Sequence, residues 1–164
     1  MNPFSFFRRE AAVQQTSNVL ELATSPVLFL DFDGVLHIRQ RGTLERLALV
    51  EEFLRRHPSV QVVPDTTWRM QESLEELAQY FSPLLRCRIE GVTPFGNRTP
   101  YSRYLEIMEY LGGSRRLWCA LDDEPQLFPP NCPQLVVTDP NVALLPEHLA
   151  QVEKILQLVP GNFQ

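Results

Sequence analysis

The chain has 164 residues, 44% of them hydrophobic and 21% charged, with a formal net charge of −5 and a pI near 5.2. This length and usage fit one globular domain with its own core, and exclude a disordered or disulfide-stapled chain. The acidic balance excludes generic attraction to duplex phosphates, and no apolar run is long enough to span a bilayer.

Residues 1–25 carry Phe4, Phe6 and Phe7 ahead of Arg8 and Arg9. A signal peptide has the opposite order, so this stretch is expected to be a tail or a packed arm. Residues 26–159 then read as the domain, and 160–164 as a C-terminal tail. Pro26 to Leu30 is a continuous apolar run, as in a strand covered on both faces. It ends in Asp31-Phe32-Asp33-Gly34, where Gly34 marks a sharp turn. Thr43 reads as a helix cap, followed by Leu44, Leu47, Ala48 and Leu54 at helical spacing as far as His57-Pro58.

Val60, Val62 and Val63 predict a second strand, running into Pro64-Asp65-Thr66-Thr67. Leu74, Leu77, Ala78 and Phe81 form one helical stripe. Arg86 to Val92 reads as a third strand. Thr99-Pro100 signals the cap of a helix bearing Tyr104, Leu105, Met108 and Leu111, stopped by Gly112-Gly113. Leu117 to Leu121 predicts a strand ending in Asp122-Asp123-Glu124. Leu135 to Val137 predicts the last, ending in Thr138-Asp139, and Pro146 opens a final helix. Alternating strands and helices predict an α/β fold with a mostly parallel sheet covered on both faces.

Ligands of such folds bind beyond the carboxyl ends of the strands. Three predicted strand ends carry polar pairs: Asp31/Asp33, Thr66/Thr67 and Asp122/Asp123. In extended chain, residues i and i+2 face the same way, so Asp31 and Asp33 share a pocket while Phe32 turns into the packing layer. Phosphoryl transfer needs an in-line nucleophile, charge neutralisation and a proton for the leaving oxygen. Asp31 is the candidate nucleophile and Asp33 the candidate acid and base. Two carboxylates would repel a phosphate unless a hard cation intervenes, which implies Mg²⁺ with Asp122 or Asp123 as a further ligand. Thr66 or Thr67 is a candidate to bond phosphate oxygens. The chain's only lysine is Lys154, so Arg69, Arg98 and Arg103 are the candidate phosphate cations. His37 follows the acidic motif closely and is expected to border the site as a loop residue. Cys87, Cys119 and Cys132 show no metal spacing and read as reduced thiols, mostly buried, in a cytoplasmic protein.

Asp31-Phe32-Asp33-Gly34-Val35-Leu36 resembles the first motif of the haloacid dehalogenase-like (HAD) superfamily. Thr66-Thr67-Trp68-Arg69, Arg103 with Glu106-Ile107, Trp118 to Asp123, and Val137-Thr138-Asp139-Pro140 resemble one branch: the HAD domains of Swiss Army Knife RNA repair proteins. The similarity runs from about Pro26 to Leu158. It implies a Rossmann-like three-layer sandwich with no large cap domain, and an Mg²⁺-dependent phosphatase working through an aspartyl-phosphate. It also implies roles: Asp31 as nucleophile and metal ligand, Asp33 as acid/base giving the metal its backbone carbonyl, Thr66 as the second-motif hydroxyl, Asp122 as metal ligand with Asp123 beside it, and Arg103 or Arg98 as the third-motif cation. Two departures stand out. Asp65 opens the hydroxyl run, leaving that residue open between Thr66 and Thr67, and Ala143 stands where the family usually has a glycine.

The linkers between motifs are short and leave no room for a large inserted cap. For a HAD domain without one, the resemblance implies an open site and a large substrate, a phosphate on an RNA or DNA end or on a phosphoprotein, with no membrane involved. Two alternatives use the same residues, a catalytically weak module that binds a phosphorylated partner and a phosphotransferase. Oligomeric state is not legible.

Overall fold

The computed structural model describes residues 24–96 and 100–158. The predicted arm and C-terminal tail lie essentially outside these residues, as do Arg98 and the Thr99 cap. Four parallel strands form the sheet: β1 (Val27–Leu30), β2 (Gln61–Pro64), β3 (Trp118–Asp122) and β4 (Leu135–Val137), in the order β2-β1-β3-β4. Among the described residues four α-helices accompany them: α1 (Leu47–Arg56), α2 (Leu74–Gln79), α3 (Ser102–Leu111) and α4 (Pro146–Ile155). The fold is α/β with a parallel sheet, as the alternation predicts, and Rossmann-like, as the resemblance implies.

β1 is central, so both its faces are covered and all four residues are fully buried. Strand alternation sends Leu28 and Leu30 to one face, where they pack with Val50, Phe53, Leu77, Leu149 and Val152 of α1, α2 and α4. Val27 and Phe29 point to the other, against Ile107 and Leu111 of α3 and Phe128. Burying each such side chain stabilises the fold by about 1.5–3 kcal/mol. His57 Nε2 and Arg56 Nη1 both reach Glu153 Oε1 at 2.9 Å, tying the end of α1 to α4. Ser73 and Glu76 form a reciprocal capping box that starts α2.

Two expectations change. Thr43 does not cap a helix: Gly42 and Leu44 both take positive φ, which postpones α1 to Leu47, and Thr43 bonds Glu45 instead. Arg86 to Val92 is not a strand. Arg86–Arg88 is a 3₁₀ turn, and only Ile89 bridges β2, at Val62. The N–H groups of Glu90 and Thr93 donate to the carbonyls of Val62 and Pro64. Three residues on this segment therefore span two on β2, and the extra residue breaks the ladder. The segment still covers the β2 edge.

The chain leaves β1 for β2 on one side, and β3 pairs with β1 on the other. The carboxyl ends of β1 and β3 are thus the topological switch point, where crevices open in such sheets. At the opposite end, Ile155 of α4 and Gln157, two residues on, line a depression with Leu117 and Trp118, beside the start of β3. Lys154, exposed, belongs to this last turn of α4. Among the described residues, no helix is long and apolar enough to cross a membrane.

Candidate active site

The first motif leaves β1 still in ladder register, with the Asp31 N–H donating to the Leu121 carbonyl at 3.0 Å. Gly34 then takes φ +71°, and the Leu36 N–H closes a turn on the Phe32 carbonyl at 2.8 Å. Phe32 is fully buried on the α1/α2 face, as the alternation predicts. Thr138 Oγ1, just past β4, donates to the Gly34 carbonyl at 2.9 Å and pins the turn to the sheet.

This turn floors a cleft of about 290 Å³ lined by Asp31, Asp33, Gly34, Arg39, Gln40, Thr67, Arg103, Asp123, Glu124 and Pro140. Ligand atoms of Asp31, Asp122 and Asp123 lie within 4.8 Å of one another. Arg103 Nη1 stands 3.4 Å from both Asp31 Oδ1 and Asp122 Oδ2, and 4.0 Å from Asp65 Oδ1. Burial pushes the Asp31 carboxyl up to about 7, against the pull of Arg103 and of the Phe32 N–H, which donates to Oδ1 at 2.8 Å. Burial likewise raises Asp122 well above the ordinary carboxylate range. Burial also works against the Arg103 charge, but Asp31, Asp122 and Asp65 outweigh it and hold its pKa above the usual arginine value.

The donor set fits a hard divalent cation. Asp31, Asp122 and Asp123 against one guanidinium leave two negative charges when all are ionised. Among the described residues Arg103 Nη1 has no hydrogen-bond partner despite its burial, so the cluster is not closed by its own ion pairs. Carboxylate oxygens at this density match Mg²⁺ chemistry rather than that of softer metals.

Asp33 is held from two sides. His37 Nε2 lies 2.8 Å from its Oδ1, and the Trp68 indole N–H donates to its Oδ2 at 3.0 Å. His37 is fully buried and Trp68 half-buried. The two hydroxyls after β2 diverge. Thr66 is fully buried and accepts from the Trp68 N–H, whereas Thr67 is exposed and lines the cleft. Arg69 does not reach the cleft: it donates to Glu106 Oε2 and to the Thr66 carbonyl, both at 2.5 Å, and lies 3.6 Å from Asp65. Asp65 in turn accepts from Thr93 Oγ1 at 2.5 Å. Asp65, Glu106, Thr93 and Trp68 were not singled out by sequence reasoning as supports of the site. Trp68 and Glu106 stand within the motifs quoted for the resemblance and Asp65 opens the hydroxyl run, but their partners are distant in the chain and local sequence does not reveal the contacts. The three thiols are free; Cys119 is buried, Cys132 half-buried and Cys87 exposed.

A family model described as the HAD domain in Swiss Army Knife RNA repair proteins matches residues 27–149. The chain belongs to that family. The match covers β1 through the first turn of α4, and with it every part of this cleft. The HAD domain here is accordingly of a phosphatase-like kind associated with RNA repair, and HAD domains usually use Mg²⁺. No curated protein and no solved structure matches the chain.

Proposed function

We propose that this HAD domain is an Mg²⁺-dependent phosphohydrolase that acts through an aspartyl-phosphate on the phosphate of a nucleic-acid end. The observation that carries the reading is the convergence of Asp31, Asp33, Arg103 and Asp123 in one cleft, with Asp122 beside them, at the switch point of the sheet.

Asp31 is the nucleophile. Its Oδ1 accepts from the Phe32 N–H, which fixes the carboxylate without moving the backbone. A carboxylate oxygen attacks phosphorus, the ester P–O bond breaks, and Asp33 gives its proton to the leaving oxygen. Asp33 then takes a proton from the water that attacks the phosphoryl group on Asp31. Phosphate departs and Asp31 is regenerated. His37 and Trp68 keep Asp33 pointed at that path. Arg103 and Thr67 hold the phosphate oxygens. Thr66 and Arg69 serve the scaffold instead, one capping the turn, the other bracing Glu106. Mg²⁺, held by Asp31, Asp122 and Asp123 together with the Asp33 carbonyl that the family resemblance implies, would neutralise phosphate charge when bound. The open cleft suits an accessible terminal phosphate, and the free thiols suit the reducing cytoplasm.

The test is phosphate release from an aryl phosphate, with Mg²⁺ or with chelator. Wild type is expected to turn over only with Mg²⁺, and Asp31→Asn to lose that activity. Unchanged turnover in Asp31→Asn would refute the covalent reading.

A further inference from the structure

A second cavity, of about 530 Å³, adjoins the first, and Asp33, Gln40 and Thr67 line both. Its remaining wall is Trp68, Met70, Gln71, Glu72 and Tyr80. Met70 and Tyr80 are among the most exposed large apolar side chains described, at 58% and 40%. We infer that this groove is the leaving-group subsite and that it takes the terminal nucleoside of a nucleotide substrate, its base against Trp68, Tyr80 and Met70. The inference rests on the phosphohydrolase reading above and adds what sits beyond the phosphate.

Position sets the polarity. The group that protonates the leaving oxygen must stand between the phosphate and whatever that oxygen carries. Asp33 stands at the joint of the two cavities, so the phosphate occupies the Arg103 side and the leaving group the Trp68 side. The groove is also a built surface. The indole is fixed by its bond to Asp33 and by edge contacts with Phe32 and Tyr80, at ring centroid separations of 5.4 and 5.6 Å. Tyr80 is held in turn through its hydroxyl, which donates to Glu72 at 3.0 Å.

Chemistry sets the class. Aromatic faces stack on any base. The amides of Gln40 and Gln71 offer both donors and acceptors, which a base edge uses and the phenol ring of a phosphotyrosine does not. Among the described residues no lysine or arginine lines the groove, so nothing there favours a second phosphate. A neutral, planar, hydrogen-bonding group is what fits.

The experiment is equilibrium binding of adenosine monophosphate and of ribose 5-phosphate to the full chain, with phosphate release followed in parallel. The two probes share sugar and phosphate and differ only in the base. Wild type is expected to bind the nucleotide about 10-fold more tightly, the scale of one stacked base. Tyr80→Ala and, separately, Met70→Ala are expected to shrink that ratio. Equal binding of both probes to wild type, binding of neither, or a preference for phosphotyrosine over the nucleotide overturns the inference. A preserved preference without phosphate release leaves the groove standing and removes the hydrolase reading instead.

Discussion

The backbone of Gly34 lies so close to the carboxylate of Asp123 that a Cβ on the glycine would overlap it. The same residue holds φ +71°, which costs an L side chain about 1–2 kcal/mol. Gly34→Ala therefore displaces Asp123 as well as straining the turn. Turnover is expected to fall by about 100-fold, as misplacement of a group by an ångström does. Gly42 is the control: it has φ +69° but open space around it. Gly42→Ala should cost about 1 kcal/mol in denaturation and leave kcat alone.

Mg²⁺ that binds the folded state alone must raise its stability, by about 2.7 kcal/mol at a hundred times the Kd. Melting is therefore expected to shift upward with added Mg²⁺ in wild type. The shift should vanish in Asp122→Asn, which removes one carboxylate of the cluster. A full shift in that variant would remove Asp122 from the ligand set.

His37 touches Asp33 and does not line either cavity beside it. Its substitution should act on the proton-transfer step more than on substrate capture. His37→Gln is expected to lower kcat for an aryl phosphate by about 10-fold, short of the hundredfold or more that loss of a general acid brings. KM should stay within about twofold. An equal rise in KM would make His37 merely structural.

Much of this was legible in the chain. β1 and the first motif could be read because a central parallel strand is apolar on both faces and its end must turn. β3, with Asp122 and Asp123, follows the same logic. The segment after α2 was misread because the extra residue between Glu90 and Thr93 spoils a ladder without spoiling an apolar pattern. The choice between Thr66 and Thr67 was not legible, since it depends on which hydroxyl the 3₁₀ turn at Thr67–Met70 buries. Nor was the support of Asp33 by Trp68, an indole–carboxylate contact across 35 positions. Residue type and spacing left Arg69 and Arg103 as equal candidates, and the resemblance alone pointed to Arg103 or Arg98. Only the fold spends one on Glu106 and leaves the other facing the cleft.

Tyr110 gives a pH dependence away from the site. Burial, and then Glu90, whose Oε1 accepts from the phenol at 3.2 Å, push its pKa up to about 12. In the unfolded chain the phenol titrates near its ordinary value of about 10. Between those values the folded state holds more protons, so this stabilisation is complete below the unfolded value and is lost as pH rises through the folded one. Wild-type stability should therefore decline more steeply over this alkaline range than that of Tyr110→Phe. Denaturant titrations at stepped pH would read the difference.

Ala143 is fully buried with φ +64°, in the left-handed region that glycine tolerates best. Replacing it by glycine relieves about 1–2 kcal/mol of strain while losing a buried methyl and adding chain entropy. Ala143→Gly is expected to be near neutral in thermal denaturation. Ala120→Gly, in β3, has no strain to relieve and should destabilise by about 1 kcal/mol. A clear loss at position 143 would show that the methyl matters more than the backbone.

The lone lysine has a practical corollary. Lys154 projects from the last turn of α4, beside the start of β3, while the cleft opens at the ends of β1 and β3. An amine-reactive dye or surface linker therefore has one side chain to find, at the far end of the sheet. The protein could be tethered or made fluorescent there with its cleft facing free solution, and the guanidinium that lines that cleft would be untouched by the reagent.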